Sequence, residues 1–344
     1  MKKTLITAAI LAGTAGMTSA AHAQSSVTLY GVMDMGYLYT KTEGLKARNA
    51  LDSGLQSDSR FGLRGSEDLG NGLKANFLLE AGINADDGTT SQSGLFNRQS
   101  WVGLSSATLG EIRFGRQFIL GSQFFTNIDP FGTTFRQAGM GSTFIAANQV
   151  RNSNSVMYFT PTWNGFQAAV GYSFNRSSSE TPVAGTNNRA ITSGLRYANG
   201  PVEVALTYDQ VEPATGGGVG RSTQLGGTYD FGVVKLHAAV ADQRKVAVNV
   251  GDVPGWNGVL AEKTLSYMVG ASAPVGPGSL FGSYQKAKDW DIKGFSVGYT
   301  YPLSRRTNAY AFFSNVDNVG NYGTAATNGD RTTRQFGVGL RHMF

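Results

Sequence analysis

The sequence predicts an all-β fold, a transmembrane antiparallel β-barrel of about 16 strands. Three observations carry this. Apolar side chains recur at every second position in segment after segment. Nothing beyond the first 23 residues approaches a membrane helix. Short turns alternate with long polar connections. Successive strand side chains point to opposite faces, so a segment that is greasy on one side and polar or glycine on the other suits a wall between lipid and water. In hydrocarbon every backbone polar group needs an internal partner, and a closed sheet is the strand arrangement without an edge.

Residues 1–23 read as a secretory signal peptide. Met1-Lys2-Lys3 is a basic start, residues 5–17 form an apolar run too short to span, and Ala21-His22-Ala23 is a small-x-small cleavage site before Gln24. The alternative, a short membrane anchor, lacks a stop-transfer pattern. Residues 24–344 then make one barrel domain. The 46 glycines suit a barrel wall and its turns better than two globular domains, and the absence of cysteine excludes a disulfide framework. A mean hydropathy of −0.18 conceals no helical span.

The strands follow in order. Residues 27–38 put Val27, Leu29, Met33, Met35 and Tyr37 on one face, opposite Thr28, Tyr30 and Asp34. Residues 73–81 turn Leu73, Ala75, Phe77, Leu79 and Ala81 outward and leave Lys74, Asn76 and Glu80 inward. Residues 166–174, 202–209, 234–240 and 295–301 repeat the pattern, and Phe336, Val338, Leu340 and Phe344 oppose Gly337, Gly339 and Arg341 at the end. Turns at residues 67–72, 198–201, 230–232 and 275–278 alternate with longer stretches near 39–58, 83–97, 175–189, 211–221, 243–262 and 317–333. Short and long ends belong to the periplasmic and extracellular sides respectively.

One connection, residues 118–151, is too long for an ordinary loop and too apolar for a disordered one. Its Phe118, Phe124, Phe125, Phe131, Phe135 and Phe144 need burial. Either the segment folds into the barrel and narrows the lumen, or it packs as a surface cap.

With these features the chain resembles the general porins of Gram-negative outer membranes over essentially all of residues 24–344. The carriers are Val27-Thr28-Leu29-Tyr30-Gly31, the block at 59–72 beginning Ser59-Arg60-Phe61-Gly62, and Phe96-Asn97-Arg98-Gln99-Ser100-Trp101. Further carriers are Gly110-Glu111-Ile112-Arg113-Phe114-Gly115-Arg116, Pro130-Phe131-Gly132, Arg151-Asn152-Ser153-Asn154-Ser155 and the terminal Phe344. The resemblance implies homotrimers of sixteen-stranded barrels in which the long third loop folds inward and its acidic residues face a ladder of arginines. It also implies a passive diffusion channel for small hydrophilic solutes, in the anion-preferring subgroup, and recognition of Phe344 by the outer-membrane assembly machinery.

Phase refines the expected constriction. Phe61 and Leu63 outward turn Arg60 and Arg64 inward; Trp101 outward would turn Arg98 and Ser100 inward; Ile112 and Phe114 outward turn Glu111 and Arg113 inward. Arg60, Arg98 and Arg151 match the ladder by motif, while Arg64 and Arg113 join by phase. Opposing them are Asp129 in the loop and Glu80 and Glu111 on the wall. Guanidiniums that cannot deprotonate give a fixed positive field, unless nearby carboxylates balance them into a weakly selective pore. The same phase leaves Arg116 outward, where it needs a subunit contact with an acidic partner such as Asp86 or Asp87. Outward Gly31 and Gly103 would let subunits approach.

Net charge decides little. There are 29 Lys and Arg against 23 Asp and Glu, and two of the lysines lie in the leader, which leaves a surplus of four. The three histidines, His22, His237 and His342, form no metal set, no phosphate-binding loop opens a helix, and the basic residues form no nucleic-acid stripe. The sequence thus predicts no enzyme, no cofactor and no metal. The runner-up is a substrate-specific outer-membrane channel for sugars or small organic anions, which needs a run of inward aromatics; only Tyr30 and Phe281 stand out as isolated inward rings.

Overall fold

Alternation of lipid-facing and lumen-facing side chains along the chain produces one closed wall. The computed structural model describes residues 26–176, 182–183, 187–212, 218–249, 257–318 and 331–344. The expected leader at 1–23 and parts of the connections expected at 175–189, 211–221, 243–262 and 317–333 lie outside the described residues.

The strands run β1 (Ser26–Thr42), β2 (Arg48–Ser53), β3 (Arg60–Gly70), β4 (Leu73–Gly82), β5 (Gln99–Ser106) and β6 (Gly110–Phe118). The long segment with its short helix α1 (Leu120–Phe125) follows, then β7 (Arg151–Phe159), β8 (Phe166–Ser173), β9 (Arg189–Asn199), β10 (Val202–Glu212), β11 (Gly220–Asp230) and β12 (Lys235–Arg244). A separate hairpin, β13 (Val246–Asn249) and β14 (Asn257–Ala261), precedes β15 (Thr264–Val275), β16 (Gly278–Ala287), β17 (Ile292–Pro302), β18 (Thr307–Asp317) and β19 (Thr332–Met343). Wall neighbours pair antiparallel, and β1 closes on β19 from Val32 opposite Met343 to Thr42 opposite Thr333. β2 and β3 both lie along β1, on its residues 35–40 and 26–32, so they are two pieces of one wall strand broken at residues 54–59. Among the described residues the wall therefore has sixteen strands.

The expected 39–58 loop is thus a strand at both ends. Its polar composition hid the sheet, because a strand rising past the hydrocarbon no longer needs an apolar face. Elsewhere the phases agree: Val27, Leu29, Phe166, Val170, Leu236, Phe295 and Val338 are exposed to the lipid side. In β5 the phase is reversed from expectation. Val102 and Leu104 are 56% and 42% exposed, so Trp101 points into the lumen and Ser100 away from it. Gly103 likewise faces inward, against Arg113. Size misled here, since a large ring normally sits on the apolar face, whereas Trp101 is covered by a guanidinium.

The third long connection, residues 119–150, lies inside the barrel, which rules out the surface cap. Leu120, Phe124, Phe125, Ile128, Met140 and Phe144 bury against Met157, Phe159, Ala169, Ala205, Ala239 and Met268 of the wall. Phe131 and Phe135 pack on Phe281, Tyr310 and Phe312. Small wall residues make the seat. A Cβ at Gly194 would meet Phe124, one at Gly226 would meet Phe125 and Ile128, and one at Gly270 would meet Pro130. Wall amides then pin the loop backbone: Gln243 bridges Ile145 and Thr143, Gln285 reaches Gly139, and Gln137 of the loop reaches Thr333. Each buried carbonyl and N–H so matched avoids a desolvation cost of about 1–3 kcal/mol.

Candidate functional site

The lumen beside the loop is lined by charge from three places: the start of β3, the residue before β5, and the start of β7. Glu80, inward on β4, is the hub. It accepts the Tyr30 hydroxyl at 2.8 Å and Arg98 Nε at 2.8 Å, and it lies 3.4 Å from Arg60 Nε. Arg98 Nη1 also donates to Asp58, and Arg60 Nη1 donates to the Asp58 carbonyl at 2.8 Å. Arg98 is free of strand phase because it precedes β5, so it reaches the lumen although Trp101 does too.

Asp58 is an acid that the sequence reading missed. It stands in the break between β2 and β3, two residues before Arg60, and inward Asp34 builds that break. The Asp34 carboxylate accepts the Gln56 and Ser57 N–H groups and the Tyr310 hydroxyl. The Asp34 carbonyl accepts the Ser59 hydroxyl.

Arg151 differs from its neighbours. Among the described residues it has no carboxylate partner. Its guanidinium lies over the Phe118 ring at 4.1 Å, its Nε is buried unbonded, and Nη2 stands 3.5 Å from Gln149 Oε1. Three guanidiniums therefore meet two carboxylates, and the uncompensated charge sits on Arg151. An aromatic face supports a cation without neutralising it.

The remaining expected residues sort by level. Arg64 faces the lumen over Tyr30, 5.3 Å from ring centroid to guanidinium. Arg113 also faces inward, but it lies four residues along β4 from Glu80, near Asn76, or about 13 Å toward the short-turn rim. There it is sandwiched between Trp101 and Phe159 at 4.5 and 4.6 Å and paired with Glu111 at 2.6 Å. Arg113 and Glu111 thus close on each other, away from the Arg98 cluster.

Asp129 departs from its expected place. Asp129 does not oppose the arginines: it is buried in the loop, where its carboxylate accepts the N–H groups of Phe131, Thr133 and Met140 at 3.0, 2.9 and 2.9 Å. Only 3% exposed, this turn carboxylate is spent on its own backbone and withdrawn from the pore. Arg116 has partners within its own chain, the Asn97 carbonyl at 2.7 Å and the Ser153 hydroxyl at 2.8 Å. A register shift after Gly115, whose φ is 135°, re-aims it. Of the two acids expected from a neighbouring subunit, Asp86 and Asp87, the latter accepts the N–H and hydroxyl of Thr89 in its own chain.

The two inward rings expected from the sequence, Tyr30 and Phe281, are not open for stacking. Tyr30 is tied to Glu80, and Phe281 is buried under Phe131 and Phe135. His237 clasps the loop at the Ile128 carbonyl, 2.9 Å away, with Ser272 on its other nitrogen. On the short-turn side of the loop lies a cavity of about 640 Å³ lined in part by Gln56, Lys235, Ser272, Thr300 and Arg341, so the loop narrows the lumen without filling it.

Comparison with known proteins agrees with this geometry. The family described as Gram-negative porin matches residues 7–321. An outer membrane porin protein of Bordetella pertussis is 44% identical, with all of both chains covered. Outer membrane porin protein 32 of Delftia acidovorans is 38% identical, again over the whole of both chains. Among solved structures, an anion-selective porin from Comamonas acidovorans superposes with a TM-score of 0.76 at 34% identity, covering 93% of this chain and 100% of that one.

Proposed function

Because this chain belongs to the Gram-negative porin family, an outer-membrane family of passive channels for small hydrophilic solutes and ions, we propose that its constriction favours anions through Arg60, Arg98 and Arg151. The observation that carries the reading is Arg151, stacked on Phe118 with no carboxylate among the described residues, while Arg98 spans Glu80 and Asp58. Glu80 and Asp58 hold the guanidiniums in place, and the unmatched charge sets the sign of the local field.

Transport needs no covalent step. The barrel supplies a water-filled hole, the loop at 119–150 limits its size, and the cluster makes anion entry favourable while leaving binding weak enough for release. The test is the zero-current potential in a planar bilayer across a salt gradient. The wild type is expected to favour anions, and replacing Arg60, Arg98 and Arg151 together by Gln is expected to abolish that preference. An unchanged potential in the triple variant would sink the assignment.

Two finer readings accompany this. A homotrimer is supported by membership of the family, while Gly31 is covered by the Phe344 ring and Gly103 faces inward; the mass of the detergent-solubilised protein tests it. Phe344, which remains 45% exposed, is proposed as the handle for the outer-membrane assembly machinery. Slowed barrel insertion of a Phe344→Ala variant with normal unfolding would support that role.

A further inference from the structure

We propose that Gln149 tunes anion passage by lodging its amide oxygen in the bay between Arg98 and Arg151, from which each bound anion must displace it. This rests on the anion-preferring reading above. Gln149 Oε1 lies 3.5 Å from Nη2 of Arg98 and 3.5 Å from Nη2 of Arg151. Bonds of that length are weak, so the amide occupies the bay without holding it firmly.

The other end of the amide decides which atom faces the guanidiniums. Gln149 Nε2 donates to the Thr133 carbonyl at 3.3 Å, which leaves the oxygen pointing at the two cations. Thr133 is held in turn. Its φ of 57° lies in the left-handed region, costly for a β-branched residue, and its N–H donates to Asp129 Oδ2. Gln149 itself has φ 51°. The loop therefore reaches the arginines through a relay from Asp129 to Thr133 to Gln149.

An anion offers charge-assisted hydrogen bonds roughly twice as strong as those of a neutral amide. It can displace Gln149 Oε1, but only after the existing contacts break. A resident competitor of this kind shortens the stay of each anion, which is what a conducting site requires. Gln149 is thus a specificity-determining residue that acts on affinity, while Arg151 supplies the charge.

The experiment measures block of single-channel chloride current by sulfate, together with the zero-current potential, for wild type, Gln149→Ala, Gln149→Glu and Arg151→Gln. In Gln149→Ala, half-block is expected at several-fold lower sulfate, and chloride conductance is expected to fall because each anion stays longer. In Gln149→Glu, block weakens several-fold and anion preference falls. Unchanged block in both Gln149 variants, with anion preference still lost in Arg151→Gln, would overturn the role of Gln149 and leave the basic cluster standing. No effect in any of the three would overturn both readings. A rise in potassium and chloride conductance alike in Gln149→Ala, with block unchanged, marks a loosened loop and also counts against the proposal.

Discussion

The backbones of Gly31 and Phe344 exchange two hydrogen bonds, 3.0 and 3.1 Å long, and the Phe344 ring occupies the space where a side chain on residue 31 would begin. The last residue thereby continues the β1–β19 seam that closes the barrel. Gly31→Val is expected to expel the ring and to lower stability by about 1–3 kcal/mol, the usual cost of overpacking. Urea unfolding checks this. Phe344→Ala in the same chain should recover part of the loss, because the two positions share one space.

Arg98 and Arg151 are expected to separate when each is replaced singly by Gln. Arg151→Gln should reduce anion preference with little change in melting temperature, since it leaves no carboxylate bereft. Arg98→Gln should also destabilise the protein, on the order of 3–5 kcal/mol, because Glu80 and Asp58 lose their shared cation. Zero-current potential and thermal melting, measured on the same preparations, distinguish the two.

Burial pushes the Asp129 carboxyl from 3.8 up to about 6, although three backbone N–H groups favour its charged form. The native loop therefore prefers the neutral acid. Its contribution is fully present below about pH 4 and is lost as pH rises through 6, a change of roughly 3 kcal/mol. Urea midpoints from pH 4 to 7 should fall with rising pH in the wild type. Asp129→Asn, which cannot ionise, should flatten that slope; an identical slope in the variant would remove Asp129 as its source.

A Cβ on Gly226 would stand 2.8 Å from Phe125 Cε1 and 2.9 Å from Ile128 Cγ2. Gly226→Val should lift this part of the loop from the wall. The expected result is an altered single-channel conductance and faster proteolysis within residues 119–150 in a barrel that still inserts. Unaltered conductance and cleavage would mean that the wall yields instead of the loop.

How much of this was legible in the residues varies by element. The outward faces of β1, β4, β8, β10 and β17 follow directly from alternation, since neighbouring Cβ atoms must point to opposite sides. The long aromatic connection announced itself by a composition that water would not tolerate. The arginine positions Arg60, Arg98 and Arg151 were found by motif, and the structure brings Arg60 and Arg98 onto Glu80, with Arg151 beside Arg98 at Gln149. Trp101 departs from the apolar face because side-chain size is a poor guide once a guanidinium in the lumen can cover a ring, as Arg113 does here.

Asp58 carried a signal that went unread, an acid two residues before Arg60 at the break between two alternating pieces. Gln149 carried none, as nothing in its neighbourhood distinguishes it from an ordinary loop glutamine. Local stereochemistry settles which residues share a face, because strand side chains alternate with a period of two residues. Partnership across the lumen is another matter. Glu80, Asp58, Arg98 and Gln149 come from four separate stretches of chain, and bulges and strand breaks reset the phase between them. Which guanidinium is neutralised, which stays free and what occupies the space between them arise only when the sheet closes and the loop is seated within it.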